Sequence, residues 1–165
     1  MSANIPTGPY ERLSALGIVL PESPLPVANF VPAVRTGNLL FLSGQGPVSP
    51  GGVRHVGKVG ATVSVDEAYQ HARLTTVNLL AVMHEALGSL CRVSRIVKVL
   101  GMVNCVPTFG DQPKVINGFS ELMVQVFGEK NGKGARSAVG MGSLPNNIAV
   151  EVEAIFEVRL DHPAV

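Results

Sequence analysis

The chain is 165 residues long, which fits one domain with a substantial hydrophobic core. Hydrophobic residues make up 46% of the sequence and charged residues 15%, whereas charged residues usually make up about 25%. The formal net charge is +1 and no basic run is present, which argues against a nucleic-acid partner. So much apolar surface is difficult for one small chain to cover, and an oligomer is therefore predicted.

The start of the chain has the features of neither a secretory signal nor a membrane span. Glu11 and Arg12 interrupt it, and it contains no long apolar run. We therefore expect a cytoplasmic protein with no membrane partner. Cys91 and Cys105 fit no CxxC or zinc-ligand spacing, and their apolar surroundings predict two buried, reduced thiols.

The first predicted element is a short helix. Thr7 is a candidate cap, Pro9 suits a first turn and Gly17 is a stop signal. The proline-rich stretch PESPLPVANF follows and is predicted to be an extended connector. The chain is thus divided into an N-terminal extension, residues 1–29, and a single domain, residues 30–165.

Two strands are predicted next, Phe30–Val34 and Asn38–Gly44. The run Thr36-Gly37-Asn38 between them is typical of a hairpin turn. Pro32 lacks the N–H that a sheet ladder needs, so the first strand should be an edge strand or bulged.

A capping box marks the start of a long helix, because Ser64 is followed three residues later by Glu67. Gly88 should end this helix. Its predicted buried stripe recurs at helical spacing and consists of Ala68, Ala72, Thr75, Leu79, Val82, Met83 and Ala86. The near-continuous apolar run Arg95–Val106 is predicted to be a central strand buried on both faces.

A second long helix, Gln112–Phe127, is predicted after a cap at Asp111. Its apolar stripe consists of Val115, Phe119, Leu122, Met123 and Val126. GEKNGKG should be a mobile loop, and Ala135–Met141 and Ile148–Val158 should be the last two strands. The order β-β-α-β-α-β-β predicts an α+β sheet with two helices on one face, and with the other face open to solvent or a partner.

Common catalytic motifs are absent from the sequence. There is no GxGxxG, P-loop or HExxH, and Ser43 lacks a GxSxG elbow. The four histidines do not have the spacing of metal ligands, so we expect no metal and interpret them as ordinary surface or core-rim residues. They are His55, His71, His84 and His162.

Arg136 and Glu151 are the most plausible functional residues. An arginine after a glycine-rich loop can bind a carboxylate through two parallel hydrogen bonds. Glu151, predicted on the adjacent strand, could hold Arg136, hold a water molecule, or act as an acid or base. The alternative is a cross-strand ion pair of little energetic importance.

Four stretches of the sequence together resemble the RidA/YjgF family, whose members also carry the name L-PSP endoribonuclease. The stretches are GNLLFLSGQGPV, VNLLAVMHEALGSLCRVSRIVKVLGMV, VINGFSELMVQVFG and ARSAVGMGSLPNNIAVEVEA. The resemblance covers nearly everything from Phe30 to Val158. It implies a chorismate-mutase-like α+β fold and a homotrimer with ligand clefts between subunits.

The resemblance also implies an activity, the hydrolysis of 2-imino or 2-enamino acids to 2-keto acids and ammonia without metal or cofactor. On this sequence, Arg136 matches the arginine that binds the substrate carboxylate, and Glu151, rather than Glu153, matches the glutamate that activates or orients water. The matched substrate-binding positions are Phe30, Ser43, Gly44, Asn117 and Ala138, the last through its backbone.

The sequence departs from the family pattern at three positions. Ala138 replaces the usual Cys, Phe30 replaces a Tyr, and Gly134 replaces the Pro before Ala-Arg, behind a longer and looser loop.

Two hypotheses about function therefore remain, an imine deaminase and a non-enzymatic module that binds a small carboxylate metabolite in the same cleft. A ribonuclease is disfavoured, because the chain lacks a basic track, stacking aromatics and a histidine pair.

Overall fold

A computed structural model describes residues 7–23 and 28–160. It contains three α-helices and one five-stranded sheet within those ranges. The helices are α1 (Pro9–Ala15), α2 (Val65–Leu87) and α3 (Gln112–Gly132). The strands are β1 (Ala33–Thr36), β2 (Leu39–Gln45), β3 (Val93–Asn104), β4 (Ala135–Met141) and β5 (Val150–Val158).

The strand order in the sheet is β1-β2-β5-β3-β4. Neighbouring strands run antiparallel except β3 and β4, which are parallel and are connected through α3. Helices α2 and α3 pack on each other and cover one face of the sheet, so the predicted α+β architecture is confirmed. The last strand of the chain therefore lies in the middle of the sheet, between β2 and β3.

The hydrophobic core lies between the sheet and the two long helices. Alternation along β5 shows the two faces: Val150, Val152 and Phe156 are fully buried, whereas Glu151 and Glu153 point to the other side. We call that other side the open face. It carries large apolar side chains that are partly exposed, namely Val34, Phe41, Leu100, Met102, Val139 and Ile155.

Helix α2 begins with the predicted capping box. The Ser64 hydroxyl accepts from the Glu67 N–H, the Glu67 carboxylate accepts from the Ser64 N–H at 2.8 Å, and the helix ends at Gly88. Six of the seven residues in the predicted stripe are buried. Ala86 is the exception and is exposed; in the last turn of α2, Leu87 is the residue that belongs to the buried core.

Two strand predictions need correction. β1 starts at Ala33 instead of residue 30, and it is an edge strand as Pro32 predicted. The predicted burial of β3 on both faces is wrong for this chain: Ile96, Val99 and Val103 are buried under α3, but the opposite side, including Leu100, is partly exposed. An apolar strand with one uncovered face is consistent with an oligomer.

The connection before β4 is not the predicted mobile loop. Gly128 interrupts α3 with φ 82°, after which residues 129–132 form a further helical turn. The stripe of α3 is buried throughout, as predicted. A side-chain carbon at Gly134 would lie 2.7 Å from Ile96 Cγ2, so this glycine allows a close approach to β3 and the expected looseness is wrong there.

The N-terminal helix packs against the core. Its N-cap is Gly8 rather than Thr7, whose N–H donates instead to the Glu11 carboxylate at 2.8 Å. Leu13 is buried, and the Tyr10 hydroxyl accepts from the Leu90 N–H at 2.8 Å. Residues 24–27 of the predicted connector lie outside the described residues, and the division at residue 29 stays a prediction.

Both cysteines are free thiols, but only Cys105 is buried. Cys91 is exposed and lies in a short 3-10 turn, Leu90–Arg92, between α2 and β3. None of the helices that the structure describes has the length and hydropathy of a membrane-spanning segment.

Candidate functional site

Arg136 lies on edge strand β4 and points toward α3. Its Nη1 donates to Asn117 Oδ1 at 2.9 Å and to Ser120 Oγ at 3.0 Å. Both acceptors are neutral, and no described carboxylate forms an ion pair with Arg136. Arg136 is exposed and its positive charge is not offset by an ion-pair partner among the described residues, which suits it to bind an anion.

Ala138 lies two residues further along β4 and therefore on the same face as Arg136. It is half-buried and packs against the core. Asn117, Arg136 and Ala138, three of the residues assigned to the site, are thus brought together on the helix side of the sheet. We call them, with Ser120, the arginine cluster.

Glu151 lies on β5 and points to the open face, where its carboxylate packs against Gly44. A side-chain carbon at Gly44 would collide with Glu151 Oε1, so the glycine leaves room for the carboxylate in the position it occupies here. The pairing of β2 with β5 is interrupted between Leu42 and Gln45, and Gly44 lies in this bulge. Bulges of this kind often occur beside functional residues.

The electrostatic surroundings of Glu151 favour its neutral form. Partial burial raises the pKa of Glu151, and the nearby negative charge of Glu153 raises the same pKa further. The described residues give this carboxylate no hydrogen bond or ion pair that would oppose these effects. A half-buried carboxyl group with a raised pKa holds a proton more readily than an ordinary glutamate, which suits it to exchange protons with a reacting water molecule.

Ser43 precedes Gly44 in the bulge, and its hydrogen bonds reach the segment that leads from Phe30 into β1. The Ser43 hydroxyl donates to the Val31 carbonyl at 2.7 Å, and the Ser43 N–H donates to the Pro32 carbonyl at 2.9 Å. Phe30 is 44% exposed. We call Phe30, Ser43, Gly44 and Glu151 the glutamate cluster.

The two clusters do not meet within one chain. β3 separates β4 from β5, so the predicted adjacency of the strands that carry Arg136 and Glu151 is wrong. On β3, Val99 is in register with Arg136 and Met102 with Glu151, an offset of roughly 10 Å along the strands. The side chains also point to opposite faces, which excludes the alternative of a cross-strand ion pair within the chain.

Ser120 is the residue of the arginine cluster that the sequence prediction missed. It follows Asn117 by three residues, so both lie on one face of α3, and this spacing could have identified it. The part of the chain that the structure describes contains no group of three or more His, Cys, Asp or Glu side chains that could hold a metal ion.

A mixed five-stranded sheet with two long helices on one face defines an α+β protein of the chorismate-mutase-like class. The family model described as "YjgF/chorismate_mutase-like, putative endoribonuclease" matches residues 10–157. The chain therefore belongs to the YjgF family. The match begins inside the segment predicted to be an extension.

Three known proteins illustrate the similarity. Protein TCP17 of Trypanosoma cruzi is 42% identical over 90% of this chain and 92% of its own length. The 2-iminobutanoate/2-iminopropanoate deaminase of Dermatophagoides farinae is 33% identical over 86% of this chain and 95% of its own. The crystal structure of protein Atu1372, of unknown function, from Agrobacterium tumefaciens has a TM-score of 0.83 and 46% identity, and covers 90% of this chain and 91% of that one.

Proposed function

We propose that the protein hydrolyses reactive 2-imino and 2-enamino acids to 2-keto acids and ammonia, without a cofactor, in a site between two copies of the chain. The observation that carries the proposal is the arginine cluster, an exposed guanidinium held by two neutral acceptors and left without a carboxylate partner. A relative that is 33% identical is named an iminobutanoate/iminopropanoate deaminase, which supports the substrate class.

The opposite orientation of the two clusters supports a site shared between subunits. A second copy packed on the partly apolar open face would bring its arginine cluster to the glutamate cluster of the first. A homotrimer closes such a head-to-tail contact into a ring, so that each interface contains one complete site. Burial of Phe41, Leu100 and Ile155 would stabilise this assembly.

The chemistry required of the site is modest. Arg136 binds the substrate carboxylate, and the backbone at Ala138 fixes its orientation. Water attacks the electrophilic iminium carbon as Glu151 accepts one of its protons, which forms a carbinolamine. Glu151 then returns the proton to nitrogen and takes up the hydroxyl proton as the C–N bond breaks. The carbonyl of the 2-keto acid forms, and the released ammonia carries that proton away from Glu151 as ammonium.

The decisive experiment is the Arg136→Ala variant, assayed with 2-iminobutanoate that is freshly generated by an amino-acid oxidase. We expect at least about a hundredfold loss of kcat/KM, because the carboxylate loses its charged partner. Arg73→Ala is the matched control, since Arg73 also donates to a neutral acceptor, Gln125, but lies outside the site. Wild-type activity in Arg136→Ala would overturn the proposal.

Carboxylate binding without catalysis is the second candidate function. One chain alone supplies the arginine cluster, whereas hydrolysis also needs the glutamate cluster of a second copy. Phe30 also lacks the hydroxyl of the family's usual Tyr. Binding of 2-oxobutanoate that requires Arg136, with no imine hydrolysis above background, would favour this candidate.

The proposal includes a cytoplasmic location and no nucleic-acid partner. Two unpaired cysteines suit a reducing compartment. Although the family description includes the word endoribonuclease, the net charge of +1 gives no basic track for RNA. Labelled RNA should survive incubation with the pure protein, and its degradation would contradict this part of the proposal.

A further inference from the structure

We infer that Ser120 is a positioning residue that orients the Arg136 guanidinium for a carboxylate ligand. The inference rests on the proposed function, but it concerns a residue that neither the motif nor the family resemblance assigns. Its basis is the pair of hydrogen bonds from one nitrogen, Nη1, to Ser120 Oγ and Asn117 Oδ1.

The two acceptors use both hydrogens of Nη1. The hydrogens on Nη2 and Nε then remain for a ligand, and together they form the planar edge that binds a carboxylate through two parallel hydrogen bonds. One acceptor alone would fix a single N–H direction and leave the guanidinium free to swing about it. Two acceptors three residues apart on α3 fix the plane of the group.

Both acceptors of the Arg136 guanidinium are uncharged, and the nearby acids of α3 are engaged elsewhere. Glu121 follows Ser120 in sequence, but it accepts from the Tyr69 hydroxyl at 2.6 Å on the side that faces α2. Glu129, the next acid along α3, is paired with Lys133. Ser120 therefore orients Arg136 without neutralising it, which a carboxylate at the same position would do.

We call the Arg136 guanidinium with its two acceptors, Asn117 and Ser120, the clamp. A cavity of about 250 Å³ beside Arg136 shows that the clamp borders open space. Its lining includes Ser120 and Arg136 together with apolar side chains of β3 and α3, namely Ile96, Val99 and Phe119. A guanidinium held at the rim of such a cavity can receive a carboxylate without first moving a protein group aside. This reduces the ordering that the ligand must cause on binding.

The clamp can be tested without any substrate. Nitrogen-15 NMR of the arginine side chains reports rotation about the Nε–Cζ bond, and Arg136→Ala identifies the Arg136 signal. We expect slow rotation in the wild type and in Ser120→Thr, which keeps a hydroxyl, and fast rotation in Ser120→Ala. Gln125→Ala, which removes a neutral acceptor from Arg73 on the same helix, should leave the Arg136 signal unchanged.

The kinetic consequence is a selective effect on KM. Ser120→Ala should raise KM for 2-iminobutanoate about tenfold and change kcat by less than about twofold, with recovery in Ser120→Thr. Unchanged rotation and unchanged KM in Ser120→Ala would overturn the inference, even if Arg136→Ala removes activity. If Ser120→Ala alters the rotation of the Arg136 guanidinium but the wild type hydrolyses no imine, the inference about Ser120 stands and the proposed function is overturned.

Discussion

Arg136 and Glu151 lie on opposite faces of one sheet, on strands that are separated by β3. Each has its own neighbours: Arg136 is held by α3, and Glu151 packs against the bulge of β2. A site that uses both must take them from different chains. This relationship leads to the first prediction, and the surroundings of each residue lead to the others.

Mixing two inactive variants should restore activity. Arg136→Ala and Glu151→Gln chains that are unfolded and refolded together at equal amounts should recover about a quarter of wild-type activity, because one interface in four combines an intact arginine with an intact glutamate. Each variant refolded alone is the control. Failure to recover activity, with mixed trimers shown by mass spectrometry, would contradict a shared site.

Glu151 should make stability depend on pH. Its pKa is raised in the folded state, so folding favours the protonated form; this contribution is fully present below the unfolded-state pKa and is lost as pH rises through the folded-state pKa. Glu151→Gln should therefore be more stable to urea than wild type at pH 8, and the difference should shrink at acidic pH. Equal differences at both pH values would contradict the burial argument.

Glu153→Gln tests the second cause of the same pKa shift. Removal of the neighbouring negative charge should lower the pKa of Glu151 toward its ordinary value. If Glu151 acts as the base, the acidic limb of the kcat/KM profile should move to lower pH in Glu153→Gln. If the profile does not move, the ionisation of Glu151 does not control kcat/KM, and Glu151 is not the base.

Gly44→Ala should displace the Glu151 carboxylate and destabilise the protein by only about 1 kcal/mol, because the added carbon meets the movable end of a side chain rather than backbone. The free energy of unfolding in urea measures the loss. Gly142→Ala is the control, since an added carbon there meets no atom within 4 Å. The penalty at Gly44 should largely disappear in a Glu151→Ala background, and its persistence there would assign the strain to the backbone instead.

Tyr10→Phe should destabilise the fold by about 1–3 kcal/mol, because the buried Leu90 N–H loses its acceptor. The same hydroxyl shares a hydrogen bond of 2.7 Å with His84 Nδ1. Tyr69→Phe is the matched control, because it removes a tyrosine hydroxyl whose hydrogen bond to the Glu121 carboxylate is exposed. Equal stability of Tyr10→Phe and wild type in urea would show that α1 adds little to the folded domain.

Most of the elements follow from local patterns in the sequence. The capping box at Ser64, the stripes of α2 and α3 and the alternation along β5 each depend on neighbours within a few residues, so the sequence alone predicts them. The edge position of β1 follows similarly from Pro32, which cannot donate to a ladder. The sequence pattern singles out Arg136 and Glu151, and the resemblance to the family adds the role expected of each.

Tertiary structure alone decided how those residues relate. Strand order depends on contacts between distant segments, and no local pattern shows that β5 inserts between β2 and β3 and leaves β4 at the edge. This order separates Arg136 from Glu151 and gives Arg136 the neighbour Ser120. The sequence thus determined which side chains are available for chemistry, and the long-range packing of the sheet decided which of them one chain can bring together.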